Sequence, residues 1–321
     1  MRRIPSAWAV GGLALIAAAA VAGSMLVGST PFDRTTPTIL YEVRLGRAVL
    51  AFLAGASLAL SGTIFQGLFR NPLADPFVVG VSGGAALGAV AAIVAGVETT
   101  VLGLGASSAA AFAGGLGAAA LAYRLAAVRG RVPMGSLLLA GFAIGSFCGA
   151  LLSILLLYGS PTWSRVVAWL MGYISDTNPW DRVKVLAPCL AASAAVAVVY
   201  ARDLDLMLLG EEPAQQLGVE VERSKRLLLA AGTVAAAAAV AACGIIGFVG
   251  LIVPHVLRGA VGPRHRALVP VTALAGGALL TLADVAARAV APGTPLPIGA
   301  VTALLGAPFF VALMRRKANR V

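Results

Sequence analysis

Residues 48–97 read AVLAFLAGASLALSGTIFQGLF (48–69), RNPLADP (70–76) and FVVGVSGGAALGAVAAIVAGV (77–97), so two long apolar runs flank one short polar segment. A helix needs about 20 predominantly apolar residues to cross the hydrocarbon core of a membrane, and both runs are long enough. Two prolines and one charge of each sign make the segment between them a turn signal. This stretch therefore predicts two membrane-spanning helices joined by a tight turn.

The rest of the chain repeats this pattern. Of its 321 residues, 60% are hydrophobic and 12% are charged, whereas a soluble domain carries roughly 25% charged residues. Backbone polar groups inside lipid must be satisfied within the segment, which helices achieve, and the alternating pattern of a membrane β-barrel is absent. The sequence thus predicts an all-α, polytopic membrane protein with about ten spans. They lie at about 8–27, 48–69, 77–97, 101–123, 132–158, 185–201, two within 227–257, 267–282 and 298–314.

The apolar run 227–257 is long for one span and short for two. Gly244, Gly247, Gly250 and Pro254 interrupt it, and a buried proline breaks a helix. We therefore expect one full span followed by a short one. With this even number of spans, both termini lie in the cytoplasm, and most of the Lys and Arg residues behind the net charge of +11 face the same side. This distribution is what the positive-inside rule requires.

The segment 159–181 differs from the spans. It holds Trp163, Trp169, Tyr173 and Trp180 around only a short apolar core. Tryptophan and tyrosine favour the boundary between membrane and water. We expect an interfacial loop or short helix on the outer side.

Several classes of function lack the residues that they need. The phosphate-binding pattern G-x-x-x-x-G-K-[ST] is absent, because none of the three lysines, Lys184, Lys225 and Lys317, follows a glycine. His255 and His265 lack metal-ligand spacing, and no set of nucleophile, histidine and acid can be assembled within the spans. No basic domain with interleaved aromatic residues suggests nucleic acid. We therefore expect a protein that is not an enzyme and binds no metal or other cofactor itself.

Charge inside the predicted spans is scarce. Asp284 is the only acidic residue near a span, and Arg288 follows it at i+4, the spacing of an ordinary helical salt bridge. A proton- or sodium-driven carrier would usually keep several ionisable groups inside the membrane. Their scarcity indicates that the energy for any transport comes from another subunit.

The hydrophilic segment LLGEEPAQQLG (208–218) predicts a short helix in the cytoplasm. Glu211 and Pro213 suit a helix start, since acidic side chains are favourable at the positive end of the helix dipole. Gly218 suits the end of the helix. The alternative is a plain solvated connector. A compact capped helix is what a rigid contact with a soluble partner would need.

Together with other motifs, this segment resembles the permease subunits of type II ABC importers, the binding-protein-dependent importers for iron-siderophores, haem and vitamin B12. The resemblance runs from about residue 44 to the C-terminus. Its motifs, in the order of that family, are GASLALSG (55–62), QG (66–67), RNPLADP (70–76), LGE (209–211), LG (217–218), GFVGLIVPH (247–255) and GAP (306–308). Each is weak alone, and together they are highly specific.

The resemblance implies one permease domain over residues 1–321 and a defined set of partners. These are a second copy of the chain, two cytoplasmic ATPase subunits that hydrolyse ATP-Mg, a periplasmic substrate-binding protein, and the surrounding lipid. It also implies that the short cytoplasmic helix seats in a groove of the ATPase and transmits its motion. The coupling residues would be Gly210, Glu211, Glu212, Ala214, Leu217 and Gly218.

By the same resemblance, Arg44, Arg47 and Arg288 would pair with glutamates of the binding protein. Arginine suits this role because its fork grips a carboxylate with two hydrogen bonds. The alternative is ordinary snorkelling at a helix end. This chain has Gly46 where the family usually has proline, so the two arginines beside it would be less rigidly presented.

The resemblance places a cytoplasmic gate between the fourth and fifth spans. Met134 and Gly135 would occupy its constriction, and Gln66 would lie on the pathway. The sequence TPLP (294–297) replaces a common Glu-Leu-Pro pattern, so the outer turn before the last span is expected to differ.

These observations predict the membrane subunit of a bacterial inner-membrane importer for a bulky metal chelate. An iron-siderophore ranks first because that group is the largest, and haem or cobalamin comes next. One alternative is an ion-coupled secondary carrier, which would need no ATPase. Another is a membrane-embedded enzyme or an assembly scaffold, which would not depend on a binding protein.

Overall fold

The computed structural model describes residues 6–27, 36–101, 103–158, 163–174, 177–290 and 296–318. Its helices are α1 (Ser6–Leu26), α2 (Gly46–Leu68), α3 (Val81–Val94), α4 (Ala106–Ala126), α5 (Met134–Tyr158), α6 (Trp163–Leu170), α7 (Pro179–Val199), α8 (Ala201–Met207), α9 (Glu211–Gln216), α10 (Val221–Cys243), α11 (Val249–Val261), α12 (His265–Val290) and α13 (Ile298–Ala318). A π-helical turn, Ile39–Leu45, leads into α2. Strands β1 (Thr100–Val101) and β2 (Leu104–Gly105) form a small antiparallel hairpin.

The apolar helices confirm the predicted fold class. Within the described residues, seven are long enough to cross a membrane, and α3, α11 and α13 are shorter apolar helices, which gives ten in all. The run 227–257 divides as expected, because α10 ends at Cys243 and α11 begins at Val249. Gly244 at φ +72° and Phe248 at φ +69° turn the chain between them.

Several predicted boundaries differ from the structure, and α7 and α10 begin at Pro179 and Val221 rather than at 185 and 227. The third span begins at Val81, because the Asp75 carboxylate accepts a hydrogen bond from the Phe77 amide and Gly80 adopts φ +86° before the helix starts. The fourth begins at Ala106, because the β-hairpin occupies the preceding residues. The ninth continues to Val290, so Asp284 and Arg288 lie inside the helix rather than beyond it.

Helix α2 is the centre of the bundle. Nearly all of its side chains are buried, and it packs against α7, α10, α11 and α12. Two hydroxyl groups within it bond to neighbouring helices: the Ser61 hydroxyl donates to the Gly232 carbonyl, and the Thr63 hydroxyl donates to Thr272. Helices α3, α4 and α5 pack together beside this centre.

Glycines bring the central helices into backbone contact. A methyl group added at Gly62 would lie 1.8 Å from the carbonyl oxygen of Gly250 on α11, and one added at Gly55 would lie 2.2 Å from that of Gly276 on α12. Helices in lipid gain little from the hydrophobic effect when they associate, so close packing at small residues supplies much of the attraction. The glycines of α2 therefore fix the distances between α2 and its neighbours.

We expect Gly62→Ala to destabilise the protein strongly, because the added methyl group cannot fit without moving α11. Overpacking of this kind typically costs about 1–3 kcal/mol, and the obstacle here is backbone rather than a flexible side chain. Thermal unfolding in detergent or nanodiscs would measure the loss as a lower Tm.

Gly117→Ala on α4 is the matched control, since an added methyl group there meets no atom within 4 Å. Its Tm should stay equal or rise slightly, because alanine is the better helix former. Equal Tm values for the two variants would contradict the packing argument.

Candidate functional site

The short cytoplasmic helix forms as predicted. Helix α9 spans Glu211–Gln216, with Gly210 at φ +126° before it and Gly218 at φ +85° after it. Only glycine adopts such angles readily, so both ends of the helix depend on these two residues. The acidic side chains Glu211 and Glu212 occupy the first turn, where the helix dipole favours them.

One face of α9 is anchored and the other is open. Ala214 is fully buried in the main core cluster, whereas Leu209 and Leu217 are 67% and 54% exposed. Glu212, Gln215 and Gln216 are exposed beside them. We call the exposed residues Leu209, Glu212, Gln215, Gln216 and Leu217 the coupling surface. Two protruding leucines around polar residues are suited to contact with a soluble partner.

A buried lysine connects α9 to α10. The side chain of Lys225 is 4% exposed, and its Nζ lies 2.6 Å from a carboxylate oxygen of Glu211 and 3.0 Å from one of Glu222. A buried ammonium group is tolerated only when it is paired and hydrogen-bonded. The sequence alone predicts no role for Lys225 or Glu222, and their i,i+3 spacing on α10 is the one available signal.

The same pair holds the chain just before α5. The Val132 amide donates to Glu222 at 3.2 Å, and the Val132 carbonyl accepts from Lys225 Nζ at 3.4 Å. Met134 and Gly135, the predicted gate residues, follow at the first turn of α5. Met134 is half-buried, and Gly135 is exposed with open space around its Cα. Their role at a constriction stays a prediction.

Gln66, predicted to lie on the pathway, is fully buried. Its amide donates to the carbonyls of Gly250 and Leu251 at 3.4 and 3.1 Å. These carbonyls lie in the first turn of α11, so the side chain joins α2 to α11. The pathway role stays a prediction that this arrangement does not support.

The outer end of the bundle contains a second buried charge cluster. Asp284 on α12 is fully buried and lies 2.8 Å from Arg47 and 3.0 Å from Arg288. Arg47 grips this carboxylate with both Nε and a terminal nitrogen, and its guanidinium lies 5.9 Å from the centre of the Tyr173 ring. The expected i,i+4 pair with Arg288 is therefore present, and Arg47 completes it from α2.

The end of α1 accepts hydrogen bonds from two of the outer arginines, Arg44 and Arg288. Arg44 is 5% exposed and donates to the Met25 carbonyl at 2.9 Å. Arg288 donates to the carbonyl of Val27 and to the carbonyl and hydroxyl of Ser24. All three predicted docking arginines thus have partners within the chain in this conformation. Docking to a binding protein stays a prediction, and it would require them to exchange these contacts.

The interfacial segment lies at the far end of α10. Tyr173, after α6, donates its amide to the Cys243 carbonyl at 2.9 Å, and Arg182 on α7 donates to the Ala242 carbonyl at 2.8 Å. Gly244 allows the chain to pass close to Trp169, since a methyl group there would lie 2.3 Å from the Trp169 carbonyl oxygen. Helix α10 therefore contacts α9 at one end and the outer segment at the other.

The described residues offer no cluster of side chains for a metal site. In this part of the chain, no group of three or more His, Cys, Asp or Glu side chains could hold a metal ion.

The sequence matches the FecCD transport family over residues 6–316. The chain belongs to this family. It is 48% identical over 286 residues to the cobalamin import system permease protein of Halobacterium salinarum, covering 89% of this chain and 76% of that protein. It is 39% identical over 281 residues to the hemin transport system permease of Yersinia pestis, covering 87% of this chain and 84% of that protein.

Solved structures agree with this assignment. An inward-facing metal-chelate type ABC transporter superposes with a TM-score of 0.86 at 31% identity, over 97% of this chain and 99% of that one. This FecCD-family chain is thus a multi-pass protein of the cytoplasmic membrane. It is a permease subunit of the ABC importers for iron chelates, haem or vitamin B12.

We expect Asp284→Asn to destabilise the protein by about 3–5 kcal/mol, because it leaves two buried guanidinium groups without their carboxylate. Thermal unfolding in nanodiscs would measure the change. Replacing the whole cluster with Arg47→Met, Asp284→Leu and Arg288→Leu should recover much of the loss, since the cluster itself then carries no charge.

Asp181→Asn is the control for charge alone. Its pair with Lys184 lies at the surface, and exposed pairs contribute little. If Asp181→Asn lowered the Tm as much as Asp284→Asn, burial of the cluster would not be what makes Asp284 important.

Proposed function

We propose that this chain is the permease of an importer for a cobalamin-type corrinoid, driven by separate ATPase subunits. The observation that supports this substrate is the 48% identity to the cobalamin permease of Halobacterium salinarum, against 39% to the hemin permease. The sequence alone ranked an iron-siderophore first, on the size of that group. On the ground of that one relative we rank cobalamin ahead of ferric siderophores and haem.

The coupling surface supports a contact with two ATPase subunits, one for each copy of the permease. Helix α9 is short, capped by two glycines and anchored by Ala214, so a partner that grips the two exposed leucines would move it as a unit. ATP and Mg²⁺ would be bound and hydrolysed by that partner. In this proposal the permease itself holds no cofactor and catalyses no reaction.

A second copy of the chain would complete the pathway. Helix α5 supports such a contact, because Leu139, Phe142 and Phe147 are 73%, 75% and 65% exposed along it. A binding protein would dock on the outer face, where Arg44, Arg47 and Arg288 lie. Closure of the ATPase pair would move α9, and the two permease copies would rock to open the path inward.

The substrate can be identified by ATPase stimulation of the reconstituted complex with its binding protein. We expect cobalamin to stimulate hydrolysis and to be taken up by proteoliposomes, while haem and a ferric siderophore do neither. Stimulation by haem or the siderophore alone would replace the corrinoid assignment. Uptake without any ATPase would overturn the importer function itself.

The coupling surface can be tested with Leu217→Glu. A charge in place of an exposed leucine should weaken ATPase binding by about tenfold, because the apolar contact is replaced by a desolvated carboxylate. Co-purification and titration with the ATPase would measure this loss, and the Tm should stay unchanged.

Arg223→Ala is the matched control, since Arg223 is 64% exposed near the cytoplasmic start of α10 and lies outside the coupling surface. It should bind the ATPase as the wild type does. An equal loss in both variants would show that the surface has been placed wrongly.

A further inference from the structure

Lys225 lies where three separate parts of the chain meet. Its ammonium group contacts Glu211 on α9, Glu222 on α10 and the carbonyl of Val132, at 2.6, 3.0 and 3.4 Å. Its side chain is only 4% exposed, so these contacts replace water almost completely. Hydrogen bonds to charged groups in such surroundings are short and strong, and they resist separation.

The contacts to Val132 form a closed set. Glu222 accepts from the Val132 amide and from Lys225, while the Val132 carbonyl accepts from Lys225. Both backbone groups of Val132 are thereby held by α10. Pro133 follows, its carbonyl accepts the Leu137 amide, and α5 starts at Met134. The position of Val132 therefore sets the position of the first turn of α5.

Helix α9 has no comparable connection to α5. Among the described residues its main contacts are with α8 and α10. It has only six residues, so it is too short to reach α5 itself. Within this part of the chain, a bonded route from α9 to the start of α5 runs through Glu211, Lys225 and Val132, and Glu222 holds the Val132 amide beside it.

We propose that Lys225 is the relay that carries displacement of α9 to the start of α5, and so links ATPase movement to opening of the pathway. This inference rests on the proposed function, because it takes α9 as the element that the ATPase moves. Lys225 acts as a positioning residue: it touches neither substrate nor nucleotide. When α9 moves, Glu211 draws Lys225, and Val132 follows because it is bonded to the same ammonium group.

The relay can be tested in the complex with ATPase and binding protein in nanodiscs, using Lys225→Met. Spin labels at Pro213 and Arg129, both exposed and outside the coupling surface, would report the distance between α9 and the loop before α5, in a background whose three native cysteines are replaced by alanine. In the wild type this distance should keep one narrow distribution when ATP binds. In Lys225→Met it should broaden, and chelate uptake should fall by about tenfold while ATP hydrolysis continues, as for mutations along a coupling network.

Glu211→Gln is the second variant, in case Lys225→Met fails to assemble. It weakens only the link to α9 and leaves Lys225 paired with Glu222 and Val132, so folding should be retained. We expect the same combination of continued hydrolysis, reduced uptake and a broadened distance. Lys225→Arg keeps the charge and should restore part of the uptake. Lys184→Met, which removes an exposed lysine at the other end of the bundle, should behave as the wild type.

Normal uptake and an unchanged distance in Glu211→Gln would overturn the relay. Weaker ATPase binding together with a lower Tm in both variants would also overturn the relay, because Lys225 would then have only a structural role. A wild-type complex that hydrolyses ATP and takes up none of the chelates would instead overturn the proposed function.

Discussion

Backbone contact at glycines is the constraint on which the rest of the structure depends. The hydrophobic effect contributes little to the association of two apolar helices within lipid, so the attraction comes from packing at short range. Gly55 and Gly62 let α12 and α11 approach α2 until carbonyl oxygens occupy the space of a side chain. Because α2 is enclosed in this way, hydrogen bonds to neighbouring helices are favoured for its buried polar groups, and the Gln66 amide forms them at the first turn of α11. Tight packing and internal hydrogen bonding are thus two results of one requirement.

Buried charges are paired in opposite ways at the two ends of the bundle. At the cytoplasmic end one lysine is shared by two glutamates, and at the outer end one aspartate is shared by two arginines. The first cluster holds short elements that lie outside the membrane, α9 and the loop before α5. The second holds the ends of α1, α2 and α12. Helix α10 runs from the first cluster to the outer segment, where its last carbonyls accept hydrogen bonds from Arg182 and Tyr173. A rigid helix with bonded contacts at both ends is suited to link events on the two sides of the membrane.

Much of this fold could be predicted from the sequence, because run length and charge distribution report directly on a membrane. The glycines and the proline within 227–257 predict its division into two helices, and the acidic start and terminal glycines of 208–218 predict helix α9.

The partners of charged residues could not be predicted. An arginine at the start of a span has the same sequence context whether its side chain faces water or a buried carboxylate. The partner of Arg47, Asp284, lies 237 residues away in the chain, so nothing local indicates the pair. The role of Lys225 is hidden in the sequence for a similar reason, since a lysine beside an apolar run usually marks only the end of a span. The ninth helix runs past the predicted end at 282 because Asp284 and Arg288 pair with each other and with Arg47 inside the bundle.

The sequence separation between Arg47 and Asp284 has a consequence for biosynthesis. The ribosome completes α2 long before α12, so for most of translation Arg47 has no carboxylate to bind. An unpaired arginine within lipid costs about 2.5–3.5 kcal/mol, which favours keeping the start of α2 near the headgroups until the late helix enters. Helix α12 brings both the carboxylate that pairs with Arg47 and the Arg288 side chain that bonds to the end of α1. Insertion of α12 is therefore the step that closes the outer end of the bundle, and a chain that stops short of residue 284 leaves α2 without the contact that seats it.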